Sequence, residues 1–313
     1  MKPKVHASKS QISFAQSLRS CHASKPKVHA SKARLLLFLV LAFCVGCQPR
    51  LQETAPPPAD PALRVKVLTY NVLGGRNTDG ARDLTRLADV INALDPDVVA
   101  LQEVDRHTGR LDGVDLPGEL ALLTGMDFAF GRAMYYDGGE YGEAILSRFP
   151  IVDVTNHALP HQEASEPRAA LATTIQIPAS EQTFVFIGTH LDHLRSPTDR
   201  IMQATELNAI LRHYTNQPVL LVGDLNAEPG SEPMRILTDR WTDAWTEAGG
   251  FTIPSDAPRK RIDYILYRPN DRWSVVTTYR GIDVQEADTA WRALLNVASD
   301  HLPLMAEFEL RVQ

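Results

Sequence analysis

The sequence predicts one α/β domain of stacked β-sheets covered by helices, running from Arg64 to Gln313. Three observations carry that prediction. The domain opens strand, helix, strand; its later half holds consecutive strand-like runs; and about 250 residues follow Arg64 without a second proline-rich break, enough for a substantial core.

Val65 to Val72 is a β-rich run and predicts the first strand, and Asp97 to Leu101 predicts the second. Between them Leu84, Leu87, Ala88 and Ile91 recur at helical spacing, with Asp83 placed to cap a helix over Asp83 to Leu94. Gly142 to Ser147, Ala169 to Ile177 and Thr183 to Thr189 read as strands, Thr198 to Tyr214 as an amphipathic helix and Val219 to Val222 as a buried strand. Arg261 to Tyr267, Trp273 to Tyr279 and Leu302 to Leu310 close the domain as strands. His107 to Pro117, rich in Gly, Asp and Arg, reads as a loop near Glu103, and such loops set specificity.

The first 46 residues differ in kind, with eight basic residues and no acidic one. They read as a targeting segment: Lys25 to Arg34 make a positive region, Leu35 to Gly46 an apolar stretch, and Cys47 follows. Twelve apolar residues fall short of the about 20 that span a bilayer. A secretory signal ending in a lipidated Cys47 is the expectation, with an uncleaved anchor or plain secretion as alternatives, because Cys44 stands where such signals carry Leu. An octapeptide repeated at Lys2 to Lys9 and Lys25 to Lys32 is too short and polar to be a solenoid unit. Residues 47–63, with five prolines, form an extended tether. A secreted or cell-envelope location, with the chain acting as a monomer, follows as the expectation.

Subtracting the leader's eight positive charges from the formal net charge of -6 leaves -14 for the remainder. So acidic a body disfavours broad nucleic-acid binding, which rests on Lys and Arg against phosphates. All three cysteines, Cys21, Cys44 and Cys47, lie in the leader or at its end, so the folded body has neither disulfides nor thiolate-zinc sites. A Gly-rich nucleotide loop, a His-Glu-x-x-His helix and a Gly-x-Ser-x-Gly elbow are all missing, which argues against a zinc peptidase or serine hydrolase.

What remains is a set of polar residues at strand ends. Leu221-Val222-Gly223-Asp224-Leu225-Asn226 delivers a carboxylate and a carboxamide from an apolar strand. Val98 to Val104 sets Glu103 just past another, where a bare carboxylate is costly unless it meets a cation, and a hard divalent ion is the expected partner. Asn71, His190, Asp263 and the pair Asp300-His301 hold similar places. They can converge only if their strands share a sheet system. Arg168 reads either as a surface strand residue or as a phosphate contact, and Tyr141, flanked by glycines, as a substrate-touching loop residue or a packed aromatic. Asp192 and His193 read as turn caps, and Trp241, Trp245 and Trp291 as core aromatics or stacking surfaces.

The ordered motifs Leu-Thr-Tyr-Asn-Val (68–72), Leu-Gln-Glu-Val (101–104), Gly-Thr-His-Leu-Asp-His (188–193), Gly-Asp-Leu-Asn-Ala-Glu-Pro (223–229), Arg-Ile-Asp-Tyr-Ile-Leu (261–266) and Ser-Asp-His-Leu-Pro (299–303) resemble the endonuclease/exonuclease/phosphatase superfamily, whose fold is DNase I-like. Gly139 to Pro150 and Glu166 to Leu171 are similar to a bacterial branch of metal-dependent hydrolases and to a domain of eukaryotic proteins that remodel glycosylphosphatidylinositol lipids. The resemblance implies a four-layer α/β/β/α sandwich with its site at one edge of the paired sheets. It also implies Mg²⁺ or Mn²⁺ held by Glu103, with Asn71 and Asp300 completing or supporting the shell. Asp224 would orient or deprotonate water, Asn226 fix that water or a phosphoryl oxygen, His301 paired with Asp263 donate to the phosphoryl group, and His190 act as a second donor. The expected function is a divalent-metal-dependent phosphodiesterase or phosphatase acting on a small or lipid-derived phosphoester. A scavenging nuclease and a non-catalytic binding module on the same fold are the alternatives.

Overall fold

The computed structural model of the chain describes residues 63–284 and 288–311; the leader, Cys47 and nearly all of the tether lie outside them. In chain order the strands are β1 (Leu63–Asn71), β2 (Val98–Arg106), β3 (Asp127–Tyr136), β4 (Gly139–Ser147), β5 (Ile151–Leu159), β6 (Arg168–Gln176), β7 (Thr183–His190), β8 (Val219–Asp224), β9 (Thr242–Asp243), β10 (Asp263–Arg268), β11 (Trp273–Arg280) and β12 (Leu304–Leu310). The helices are α1 (Leu84–Leu94), α2 (Leu116–Thr124), α3 (Thr198–Ile210), α4 (Glu232–Thr238) and α5 (Thr289–Ala298). None among the described residues is long and apolar enough to cross a membrane.

Two six-stranded mixed sheets form, ordered β11-β12-β1-β2-β4-β3 and β5-β6-β7-β8-β10-β9. Each sheet is apolar on both faces, which stacks the layers. Along β1, Val65 and Val67 face the other sheet while Leu68, Tyr70 and Val72 face α1, α2 and α5. Along β7, Phe184 and Phe186 point between the sheets while Val185 and Ile187 pack under α3 and α4. This period of two is what a strand covered on both sides requires. The result is the expected α/β/β/α sandwich.

The same alternation aims the polar ends. Asn71 continues the inward parity of Val65 and Val67, His190 that of Phe184 and Phe186, Asp224 that of Leu220 and Val222, and Asp263 that of Ile265. Parallel pairing of β7 with β8 sets His190 against Asp224, and antiparallel pairing of β8 with β10 sets Asp263 against Asp224. A cluster at one edge of the inter-sheet space follows from pairing and parity alone.

The structure revises several boundaries. Asp83 caps α1, its carboxylate accepting from the Thr85 amide at 3.1 Å. Residues 198–214 end as α helix at Ile210 and continue as a 3₁₀ turn. The 107–117 segment contains a 3₁₀ turn and the start of α2. β3, β5, α2, α4 and α5 were not foreseen in the sequence. β5 is an edge strand with a largely exposed, mixed-polarity sequence, and α2 carries Pro117 and Gly118 in its first turn, so neither shows a clean period.

Gly223 is the backbone position the site depends on most. Its φ is +151°, and a Cβ there would lie 1.9 Å from the Thr189 carbonyl oxygen, so β8 can lie against β7 only without a side chain. Gly223→Ala is expected to cost about 3 kcal/mol or more and to lower the unfolding temperature by several degrees in a thermal melt; an unchanged melt would contradict this packing.

Candidate active site

The site is a cavity of about 310 Å³ whose lining includes Glu103, Tyr141, Arg168, His190, Asp224, Asn226 and His301. Asn71 and Asp263 stand behind it, fully buried. The Asn71 amide donates to Glu103 Oε1 at 3.0 Å and to Asp224 Oδ2 at 3.1 Å, joining one carboxylate from each sheet. Its own oxygen accepts from the Leu73 amide at 3.1 Å, which fixes the amide's orientation.

Glu103 lies inside β2, not just past it, and reaches the cavity through a β-bulge. Leu101 and Val104 both face the helix layer, opposite Ala144 and Gly142 of β4, so β2 carries one extra residue there. Glu103 takes a left-handed φ of 59° at that point. Without the extra residue its side chain would point under α1 and α2; bulges re-aim side chains in this way.

Asp224 is the hub. Its Oδ1 accepts from the Asn226 amide at 2.9 Å, while Oδ2 faces His190 Nε2 at 3.5 Å and His301 Nε2 at 3.7 Å. Burial and the neighbouring Asp263 push its carboxyl up to about 7. His301 donates from Nδ1 to Asp263 Oδ2 at 3.0 Å. Burial pulls the His301 imidazole down, but the Asp263 contact, aided by Asp224, outweighs it and raises the group to about 10. At neutral pH His301 is a cation, held chiefly by the Asp263 carboxylate.

His190 has the opposite character. Burial and the adjacent Arg168 hold it well below the usual imidazole range, hence neutral. Arg168 Nη1 lies 3.1 Å from His190 Nδ1, and since a guanidinium only donates, Nδ1 accepts and Nε2 carries the proton; Nε2 faces Asn226 Nδ2 at 2.9 Å and Asp224 Oδ2 at 3.5 Å, so this tautomer requires the Asn226 amide to turn its oxygen toward the ring. Arg168 is buried, resolving its two sequence readings against a surface role; its other amine meets Glu166 at 3.0 Å and His193 at 3.1 Å. Tyr141 is largely buried yet lines the cavity, a packed aromatic whose phenol is raised by burial and by Glu103.

Asp300, expected at the metal, is absent from the cavity lining; its side chain accepts from Ser299 Oγ at 3.5 Å, and its charge adds to those that raise His301. Asp192 does cap a turn, accepting from the Leu194 amide at 2.9 Å, whereas His193 reaches the cavity rim. Trp241 is core, donating to Asn208, and Trp291 donates to Gly281 O; neither lines the cavity. Three contributors escaped the sequence reading: Arg110, Tyr136 and Glu143. Arg110, within the 107–117 loop that the sequence places near Glu103 without singling out a residue, is clamped on buried Asp105 and lies 4.6 Å from the ring centre of Tyr136, which the β3–β4 hairpin brings in. Glu143 was visible within Gly142-Glu143-Ala144-Ile145-Leu146-Ser147, but only its inward parity with Ile145 marks it as part of the site.

The residues fit a hard divalent cation. Glu143 is fully buried with neither carboxylate oxygen partnered, and Asp263 Oδ1 is likewise unpartnered. With Glu103 and Asp224 nearby, the pocket holds more carboxylate than its cations neutralise. Asp224, Asp263 and His301 present atoms within 4.8 Å of one another, but a protonated His301 cannot ligate, so the oxygen donors beside Glu103 suit an ion better.

The described geometry accompanies a direct match. Residues 68–301 match the profile described as the Endonuclease/Exonuclease/phosphatase family. The chain belongs to that family, whose members hydrolyse phosphoesters. It is 29% identical over 258 residues to the protein YbhP of Escherichia coli, covering 78% of this chain and 96% of that one. It is also 29% identical over 197 residues to protein cwh43 of Schizosaccharomyces pombe, covering 63% of this chain but 18% of that longer protein. Among solved structures, a mannosyl-6-phosphatase of Bacteroides thetaiotaomicron superposes with a TM-score of 0.61 at 21% identity, over 78% of this chain and 99% of that one, a likeness of fold.

Glu143 gives a test of the charge excess. Burial, Glu103 and Asp224 raise its carboxyl well above the ordinary range, with Arg168 opposing. A carboxyl raised on folding contributes stability that is present below its unfolded value and lost as pH rises through the folded one. In chelator-treated protein Glu143→Gln should therefore raise the unfolding temperature at pH 8, with the gain shrinking toward pH 4. A gain independent of pH, or a loss at pH 8, would contradict it.

Proposed function

We propose that this chain is an extracytoplasmic, Mg²⁺- or Mn²⁺-dependent phosphodiesterase or phosphatase that uses direct attack of water on a small or lipid-derived phosphoester. The observation that carries the reaction is the Asp224 carboxylate set between Asn71, His190 and the cationic His301, next to Glu103. The location rests on the apolar stretch Leu35 to Gly46 and Cys47, and the preference for small substrates over DNA on the charge of -14 that remains beyond the leader. Membrane attachment through Cys47 belongs to the same proposal.

Asp224 accepts the proton of the attacking water. Asn226 is held on the cavity wall beside it by its backbone bond to Asp224 and by its side chain lying 2.9 Å from His190 Nε2. His190 offers Nε2–H, kept in that tautomer by Arg168, and His301 offers a second charged N–H toward phosphoryl oxygens. Asp263 orients His301 and stabilises its charge, as a carboxylate does behind a catalytic histidine. Glu103, with Asn71 beside it, would hold the cation, which when bound neutralises phosphate charge and polarises the attacking water.

Hydrolysis of bis-p-nitrophenyl phosphate in excess Mg²⁺ or Mn²⁺ tests the reading. Glu103→Ala and Asp224→Ala should each lower kcat/KM by about 10³-fold or more, with both variants still folded by circular dichroism. No turnover with any divalent ion would favour the binding-module alternative, and rapid plasmid degradation at physiological salt the nuclease.

The pH profile follows from the charges. Asp224 works as carboxylate, so kcat/KM should fall on the acid side below about 7 in limiting metal, and that limb should move lower as the cation saturates. His301 works as cation, so activity should fall again as pH rises through about 10. An alkaline limb unchanged in Asp263→Asn would contradict the pairing.

A further inference from the structure

A second groove continues the catalytic cavity. Its volume is about 600 Å³, and it shares His193, Asn226, Ile253 and Ile262 with the cavity. Two cations from distant parts of the chain line it, Arg195 beyond β7 and Lys260 before β10, and neither has a side-chain ion pair or hydrogen bond among the described residues. Glu228 is the one acid in the lining, and Arg200 is already engaged with Asp192 and Leu194.

The backbone behind both cations is fixed. Lys260 pairs with Ile253 in a β-bridge, its amide donating to Ile253 O at 3.1 Å and its carbonyl accepting from Thr252 N at 2.8 Å. The Arg195 loop is pinned by Arg200, whose Nη1 donates to Asp192 O at 2.7 Å and Leu194 O at 2.6 Å, and by Asp192 accepting from the Leu194 amide. Both residues are exposed, so each presents an unpaired positive charge that an anion entering the groove can meet.

Resting on the phosphoester reading above, we propose that this groove is a subsite for a second anionic group of the substrate, so that the preferred substrates are phosphoesters carrying a further phosphate or carboxylate beyond the scissile one. Arg195 and Lys260 are the specificity residues, and Asn226 and His193 mark the junction with the reacting phosphate.

The test is calorimetric binding of fructose 1,6-bisphosphate and fructose 6-phosphate in saturating Mg²⁺, run beside bis-p-nitrophenyl phosphate turnover. Wild-type protein should bind the bisphosphate at least about tenfold tighter, and Arg195→Gln/Lys260→Gln should erase that difference while leaving monophosphate affinity and turnover unchanged. Equal affinity for the two ligands in wild type, or a preference that survives the double variant, overturns the subsite. Absent turnover with the binding preference intact would instead sink the hydrolase reading and leave the anion subsite standing, so the two failures are distinguishable.

Discussion

The site hangs on one carboxamide. Asn71 lies at the end of β1 in one sheet and donates to Glu103 of its own sheet and Asp224 of the other. Two carboxylates that repel each other are thereby held near one point, and the bond to Asp224 crosses the gap between two largely apolar sheet faces. The packing of the sandwich sets how far apart Glu103 and Asp224 stand, and the amide sets how they face. Deeper in the same region, Glu143 lies buried without a hydrogen-bond partner.

Charge division among the histidines follows from their partners. His301 has a carboxylate on each ring nitrogen's side and carries a proton; His190 has a guanidinium on one and stays neutral. Two residues of one type thus supply a charged and an uncharged N–H to the same cavity. Arg168 serves both as a local positive charge and as the group that fixes the His190 tautomer.

Much of this was legible in the sequence because β-strands encode their faces. Val65, Val67 and Asn71, or Leu220, Val222 and Asp224, share parity in the sequence and share a face in the fold. Asn71, His190, Asp224, Asn226, Asp263 and His301 accordingly converge as expected. Glu103 was found for an incomplete reason, since its orientation depends on a bulge that strict alternation would not place. Arg110 falls in the 107–117 loop that the sequence sets near Glu103 but does not single out, and Tyr136 arrives through the β3–β4 hairpin, whose turn places Asp137 and Gly138 at positive φ. Asp300 stands next to His301 in the sequence, but the two lie in a bend before β12 and only His301 enters the cavity lining. Edge strand β5 left too mixed a pattern to read.

The central claim is that residues from both sheets form one site for a hard divalent cation at Glu103. Calorimetric titration of Mn²⁺ into chelator-treated protein addresses it most directly. Wild-type protein should bind Mn²⁺ saturably, Glu103→Gln should weaken that binding by at least about tenfold, and Asn71→Ala by about ten- to hundredfold with the fold retained. Mn²⁺ binding that is indifferent to both substitutions would contradict the account.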